Sequence, residues 1–134
     1  MMTENEILTT IYHVILASPI ADLSGGVFKK VRPTDSQLED CVISIIPGNV
    51  GKFLRDGGLY VKLFFKDIFN NNTHWEDSVN AQTKETLLFN LSESLFKLNG
   101  MSFYKESREL MIESLPESHE HFAVLKINFK QTLD

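Results

Sequence analysis

Apolar residues recur along this chain with two different periods, and the switches between them mark out its elements. Between residues 4 and 17, Ile7, Leu8, Ile11, Tyr12, Val14 and Ile15 fall at helical spacing, which predicts an amphipathic first helix. Thr3 stands three residues before Glu6, the spacing of a capping box. Ser18-Pro19 closes the helix, because the residue before a proline is pushed out of the α region, and Ser24-Gly25-Gly26 then marks a turn.

The period then shortens to that of extended chain. Val27 to Val31 alternates in part and is closed by Arg32-Pro33, so it reads as a first strand, with the polar stretch Thr34 to Asp40 as a connector. Cys41-Val42-Ile43-Ser44-Ile45-Ile46 is rich in β-branched residues and too short for a stable helix. It is expected to be a buried strand ended by Pro47-Gly48. Residues 48 to 58 hold four glycines and end in the turn signal Asp56-Gly57-Gly58. From Leu59 to Asp67 the alternation is clear: Leu59, Val61, Leu63 and Phe65 point one way, and Tyr60, Lys62, Phe64 and Lys66 the other.

A polar segment from Asn70 to about Asn80 gives no readable conformation and is long enough for a functional or mobile loop. From Ala81 to Leu98 a second helix is expected, with Leu87, Leu88, Leu91, Leu95 and Leu98 on one face and Asn99-Gly100 as its stop. Short strands at 101–105 and 109–113, separated by Glu106-Ser107-Arg108, have the spacing of a hairpin. A last long strand spans His121 to Lys130, setting Ala123, Leu125, Ile127 and Phe129 against Val124, Lys126, Asn128 and Lys130. The order α-β-β-β-α-β-β-β over residues 1–134 predicts a single α+β domain, a two-layer sandwich whose mostly antiparallel sheet carries both helices on one face.

Composition agrees with such a globule. Hydrophobic residues at 43% and charged residues at 23% are ordinary globular usage, which excludes disordered and collagen-like chains. No run approaches the ~20 apolar residues needed to cross a bilayer. The opening Met1-Met2-Thr3-Glu4 lacks the charged and apolar regions of a secretory leader, so a soluble, non-secreted protein is expected. The formal net charge of -5, with its acidic excess after residue 70, works against direct binding of a nucleic-acid backbone. The lone Cys41 lies in an apolar run, the place of a small buried thiol in a reducing compartment.

Chemistry is sparse. His119 and His121 flank Glu120 at a spacing that puts two ligands on one side of a strand, but zinc needs three or four and nothing brings His13 or His74 to them. Cys41 lacks the polar surroundings of a nucleophile. Gly48-Asn49-Val50-Gly51-Lys52 has neither the glycine spacing nor the hydroxyl residue of a phosphate loop. Glu106, Glu109, Glu113, Glu117 and Glu120 stand in polar sequence, with nothing to separate their titration as acid catalysis requires. No enzyme, cofactor or metal is therefore expected. The outward face of the two long strands interleaves Lys62, Lys66, Lys126 and Lys130 with Tyr60, Phe64 and Val124. That pattern suits either a solvated face guarded by lysines or an assembly surface. Trp75, in the polar segment, is either a lid on the core or an anchor for a partner.

Arg32-Pro33-Thr34-Asp35-Ser36, then Glu39-Asp40-Cys41-Val42-Ile43, a glycine loop, the strand Gly58 to Asp67, a helix and a closing strand from His121-Phe122 together resemble the small tail-completion proteins of long-tailed bacteriophages and prophages. Within these the chain is similar to the tail-terminator, or minor tail protein U-like, group. The resemblance implies a virion protein made in the host cytoplasm, a subunit of a ring, commonly a hexamer, that caps the tail tube and docks the head connector without covalent chemistry. It makes the loops at 48 to 58 and 68 to 80 candidates for those contacts through Phe53, Arg55 and Trp75. The residues by themselves fit equally a protein-binding adaptor or immunity-type protein, and a small hydrolase or transferase is a third class.

Overall fold

The computed structural model describes residues 3–50 and 54–132. Helix α1 runs Glu4–Leu16, with the Thr3 hydroxyl accepting the Glu6 N–H at 3.2 Å. The return half of the capping box is made by the side chains instead, the Thr3 hydroxyl donating to Glu6 Oε1. Ile7, Leu8, Ile11 and Ile15 form its buried stripe. Strand β1 (Val27–Lys29) pairs in parallel with β2 (Cys41–Val50), which pairs antiparallel with β3 (Leu54–Lys66). A two-stranded hairpin, β4 (Ile68–Asn70) and β5 (Thr73–Trp75), comes next, before helix α2 (Ser78–Leu95). Strands β6 (Ser102–Phe103), β7 (Glu109–Leu115) and β8 (Glu120–Thr132) complete the chain.

The frame is the central pair β3–β8, thirteen residues each and in register from Leu54↔Thr132 to Lys66↔Glu120. The sheet order is β1-β2-β3-β8, with β6 and β7 both on the outer side of β8. The architecture is the expected α+β two-layer sandwich with a mostly antiparallel sheet. Its main core lies between the helices and one sheet face, where Leu59, Val61, Leu63, Leu125, Ile127 and Phe129 meet Ile7, Ile11, Leu88 and Leu95. All of these are essentially removed from water, so burial of this face is the main driving term for the fold.

Five features depart from the sequence reading, the first being that Asp56-Gly57-Gly58 makes no turn and is continuous strand in β3, paired with Lys130, Phe129 and Asn128. The two short strands near 101–105 and 109–113 do not form a hairpin. Both pair with β8, Phe103 opposite Phe129 and Glu109 opposite Lys126, so they are two pieces of one edge strand interrupted by a turn at Lys105–Ser107. Strand β2 continues through Pro47, where a register irregularity between Pro47 and Val50 absorbs the proline. That site is tolerant because β1 covers only Cys41 to Ile43 of β2. Helix α2 starts three residues early because the Asp77 carboxylate caps it, accepting the Asn80 N–H at 3.1 Å. The unreadable polar segment holds the β4–β5 hairpin, turned by Asn71 and Asn72 at φ 51° and 58°. Two adjacent left-handed residues are the signature of a type I′ turn, which asparagine accepts more readily than most residues. Among the described residues, no helix is long and apolar enough to cross a membrane.

Candidate functional site

On the sheet face away from the helices, the register places Tyr60 opposite Lys126, Lys62 opposite Val124 and Phe64 opposite Phe122. The two long strands are thus neighbours, as the assembly-surface reading requires. The expected exposure does not hold for two of these residues: Phe64 is 8% and Val124 2% accessible. They pack with Val42 and Phe122 in a second apolar cluster, flanked by Phe28, Met111 and Leu115. The cover is polar. The Arg32 guanidinium lies 4.1 Å from the Phe64 ring centroid and the Lys62 ammonium 5.0 Å from that of Phe122. Only the half-buried Tyr60, with Lys126 at 5.2 Å over its ring, retains part of the predicted basic-aromatic surface.

Arg32 is what folds the connector over this face. Its Nε donates to Asp40 at 2.6 Å, its two terminal nitrogens donate to the Glu120 carboxylate at 3.0 and 2.7 Å, and one of them also reaches the Leu38 carbonyl. Asp40 and Glu120 are each 1% accessible. Burial works against the guanidinium charge, but the bonds to Glu120 and Asp40 outweigh it and leave the Arg32 pKa raised. Gly25 makes room for the pair, because a Cβ there would collide with Asp40 Oδ1. The neighbouring Glu39 binds the buried Lys84 ammonium at 2.7 Å, tying the same connector to α2. The cluster is an ion-paired clamp with every charge answered, so it is built to hold the chain in place.

A second polar group joins β3, β8 and the arm made by β4–β5. His121 Nδ1 meets Asp67 Oδ1 at 2.5 Å, and its Nε2 faces Glu76 at 3.6 Å. His121 pairs with Asp67 through one ring nitrogen and turns the other toward Glu76, so it joins the sheet to the arm. His119 does not share a strand face with His121 as expected. It caps a turn at φ 55° and stacks on His74, with ring centroids 3.6 Å apart. Among the described residues no group of three or more His, Cys, Asp and Glu side chains is placed to hold a metal. Burial, with the charge of Asp40 beside it, pushes the Cys41 thiol up to about 12, the reverse of an activated nucleophile.

What stands out is the arm itself. Ile68, Phe69 and Trp75 are 48%, 61% and 59% accessible, and Val79 at the start of α2 is 76% accessible. Ile68 lies directly across from Trp75. Trp75 is therefore displayed and does not fold back as a lid on the core. Large apolar residues gathered on one projection, and not scattered, mark an interaction surface. Val79, Ile68 and Phe69 were not among the residues the sequence singled out; the alternation of Ile68-Phe69 against His74-Trp75 around an Asn turn was the available signal.

At the opposite end, where β2 turns into β3, a groove of about 430 Å³ is lined mainly by Ile46, Pro47, Gly58, Tyr60, Tyr104 and Phe129, with Asp56 at its wall. Gly57 belongs here because the Phe129 ring stands 2.7 Å from where its Cβ would be. Of the loop residues predicted to make contacts, Phe53 lies outside the described residues. Arg55 is described only by its backbone pairing with Val50 and Gln131. No protein-family model matches the chain, and a search of curated proteins finds no match either.

Proposed function

We propose that this protein is a non-catalytic assembly subunit that closes into a homo-oligomeric ring, of the kind expected for tail completion, where such a ring caps a tail tube and receives the head connector. The observation that carries the reading is the arm: Ile68, Phe69 and Trp75 are large, apolar and exposed on a hairpin that projects from the sheet. Phe69 leans on the His74 ring at 4.8 Å yet stays 61% accessible, and apolar surface of this kind gains most when another protein buries it. The ion-paired clamp around Arg32 and the stapling of His121 supply the complementary requirement, a rigid body from which the arm projects.

In this reading the protein works in the virion tail after synthesis in the host cytoplasm, with itself, the tube protein and the connector as partners and with no cofactor. Electron microscopy of the purified protein, alone and with tail tubes, tests it. Closed rings, free or seated on tube ends, are the expected result. Isolated monomers that ignore tube ends would overturn it and favour a one-to-one adaptor.

A further inference from the structure

The apolar arm and a groove of mixed aromatic and polar lining lie at opposite ends of one sheet, and we propose that the arm of each subunit docks in the groove of a second copy of the same chain. This inference rests on the ring reading above and names the contact that would build the ring. Strand β3 connects the two: Gly57 is at the groove, Lys66 is at the root of the arm, and nine steps of about 3.3 Å separate them by roughly 30 Å. A three-residue hairpin cannot span that distance, so no chain can fill its own groove with its own arm. Contact between the two surfaces is necessarily intermolecular. Because the surfaces differ, it is also head-to-tail, the geometry that closes into a ring when the rotation permits.

The chemistry of the two surfaces matches. From residue 67 to 83 the chain carries Asp67, Glu76 and Asp77 and no Lys or Arg. The groove's aromatic walls carry lysines: Lys126 sits 5.2 Å over Tyr60, and Lys130 sits 5.8 Å over Tyr104. Asp67 and Glu76 already face His121 and Asp77 caps α2, so the match is one of net charge: an acidic-flanked hairpin against a groove whose two tyrosines carry ammonium groups, with Asp56 as the one like-charged lining residue among those described. Ile68 and Trp75, paired across the hairpin, supply the apolar contact, and the missing side chain of Gly58 leaves the space for it.

The chain has a single tryptophan, Trp75, so its fluorescence reports the arm alone. The test follows Trp75 emission and light-scattering mass together over a dilution series. Emission is expected to move to shorter wavelength in step with the rise in mass. Gly58→Val fills the groove at a position where a Cβ meets only Asn128 Oδ1 at 3.5 Å and Ile46 Cβ at 4.0 Å, and an unchanged unfolding midpoint checks that the fold accepts it. Ile46→Glu alters an exposed wall. Each is expected to weaken association on the order of tenfold or more and to leave Trp75 emission solvent-like. Mixing Gly58→Val with Trp75→Glu leaves one intact arm and one intact groove, and is expected to give a dimer that neither variant forms alone. An oligomer whose Trp75 stays solvent-like, or that Gly58→Val leaves intact, overturns the docking while the ring reading survives. A monomer at every concentration overturns the docking, and the ring reading falls with it only when tube ends too carry no rings.

Discussion

Arg32 illustrates how much of this structure is decided by single side chains that the chain pattern does not expose. In the sequence it reads as the end of a strand before a proline, and its partner Glu120 lies 88 residues away. No periodicity links the two. Once Asp40 and Glu120 are buried, removing the guanidinium leaves two carboxylates without a counter-charge. Arg32→Met is therefore expected to lose about 3–5 kcal/mol in urea unfolding. A loss below about 1 kcal/mol would show that the clamp is incidental. Cys41, by contrast, was legible: its apolar run announced a buried thiol, and it is 1% accessible. Its folded pKa is raised from an ordinary 9.0 to about 12. The unfolded chain therefore loses the thiol proton first as pH rises, and this contribution to stability is complete below pH 9 and is lost between pH 9 and 12. Cys41→Ala is expected to lose less stability than the parent over that window in alkaline denaturation. Parallel curves would contradict the assignment.

At the scale of elements, the strong periods survived and the weak ones were overruled by partners distant in sequence. Helix α1 and strand β8 sit close to where their patterns place them, whereas β3 starts at Leu54 and runs straight through the Asp56-Gly57-Gly58 turn signal. The pieces β6 and β7 look like a hairpin locally, but both pair with the edge of β8, where β7 gains a ladder from Glu109 to Leu115. The β4–β5 arm was hidden because asparagine pairs signal a type I′ turn less strongly than Asn-Gly, and because apolar residues that stay exposed do not carry the periodic pattern of a buried face. The arm touches the body mainly through the His74–His119 stack and the His121 staple. Its amides are expected to exchange with solvent through local opening, well before those of β3 and β8, which should approach the global unfolding limit. Equal protection across arm and sheet would contradict an independent arm. Asn72 sits at φ 58°, so Asn72→Val forces a β-branched residue into left-handed backbone at a cost of about 1–2 kcal/mol. That cost is expected to appear as faster exchange in the arm, with the global unfolding midpoint nearly unchanged.

The whole molecule brings together an α+β sandwich, an apolar arm at one end and a groove of aromatic and polar residues at the other. The sandwich was readable because burying one sheet face against two helices leaves a two-residue and a 3.6-residue period in the sequence. The site was readable in part. Trp75 and Tyr60 were identified as contact residues, and Trp75 is exposed and Tyr60 half-buried, whereas Phe64 and Val124 lie on the expected face but are buried in an apolar cluster, Phe64 beneath the Arg32 guanidinium. The groove could not be read at all, since it is made by residues from β2, β3, β8 and the segment after β6. Central to the proposed role is that these two ends join one copy to the next. Solution mass by light scattering after size exclusion, across a wide concentration range and at two salt concentrations, tests that most directly. A closed oligomer is predicted, with six times the 15.3 kDa of one chain as the expected ring, weakening as salt screens the lysine rim. A mass of one chain at every concentration would contradict it.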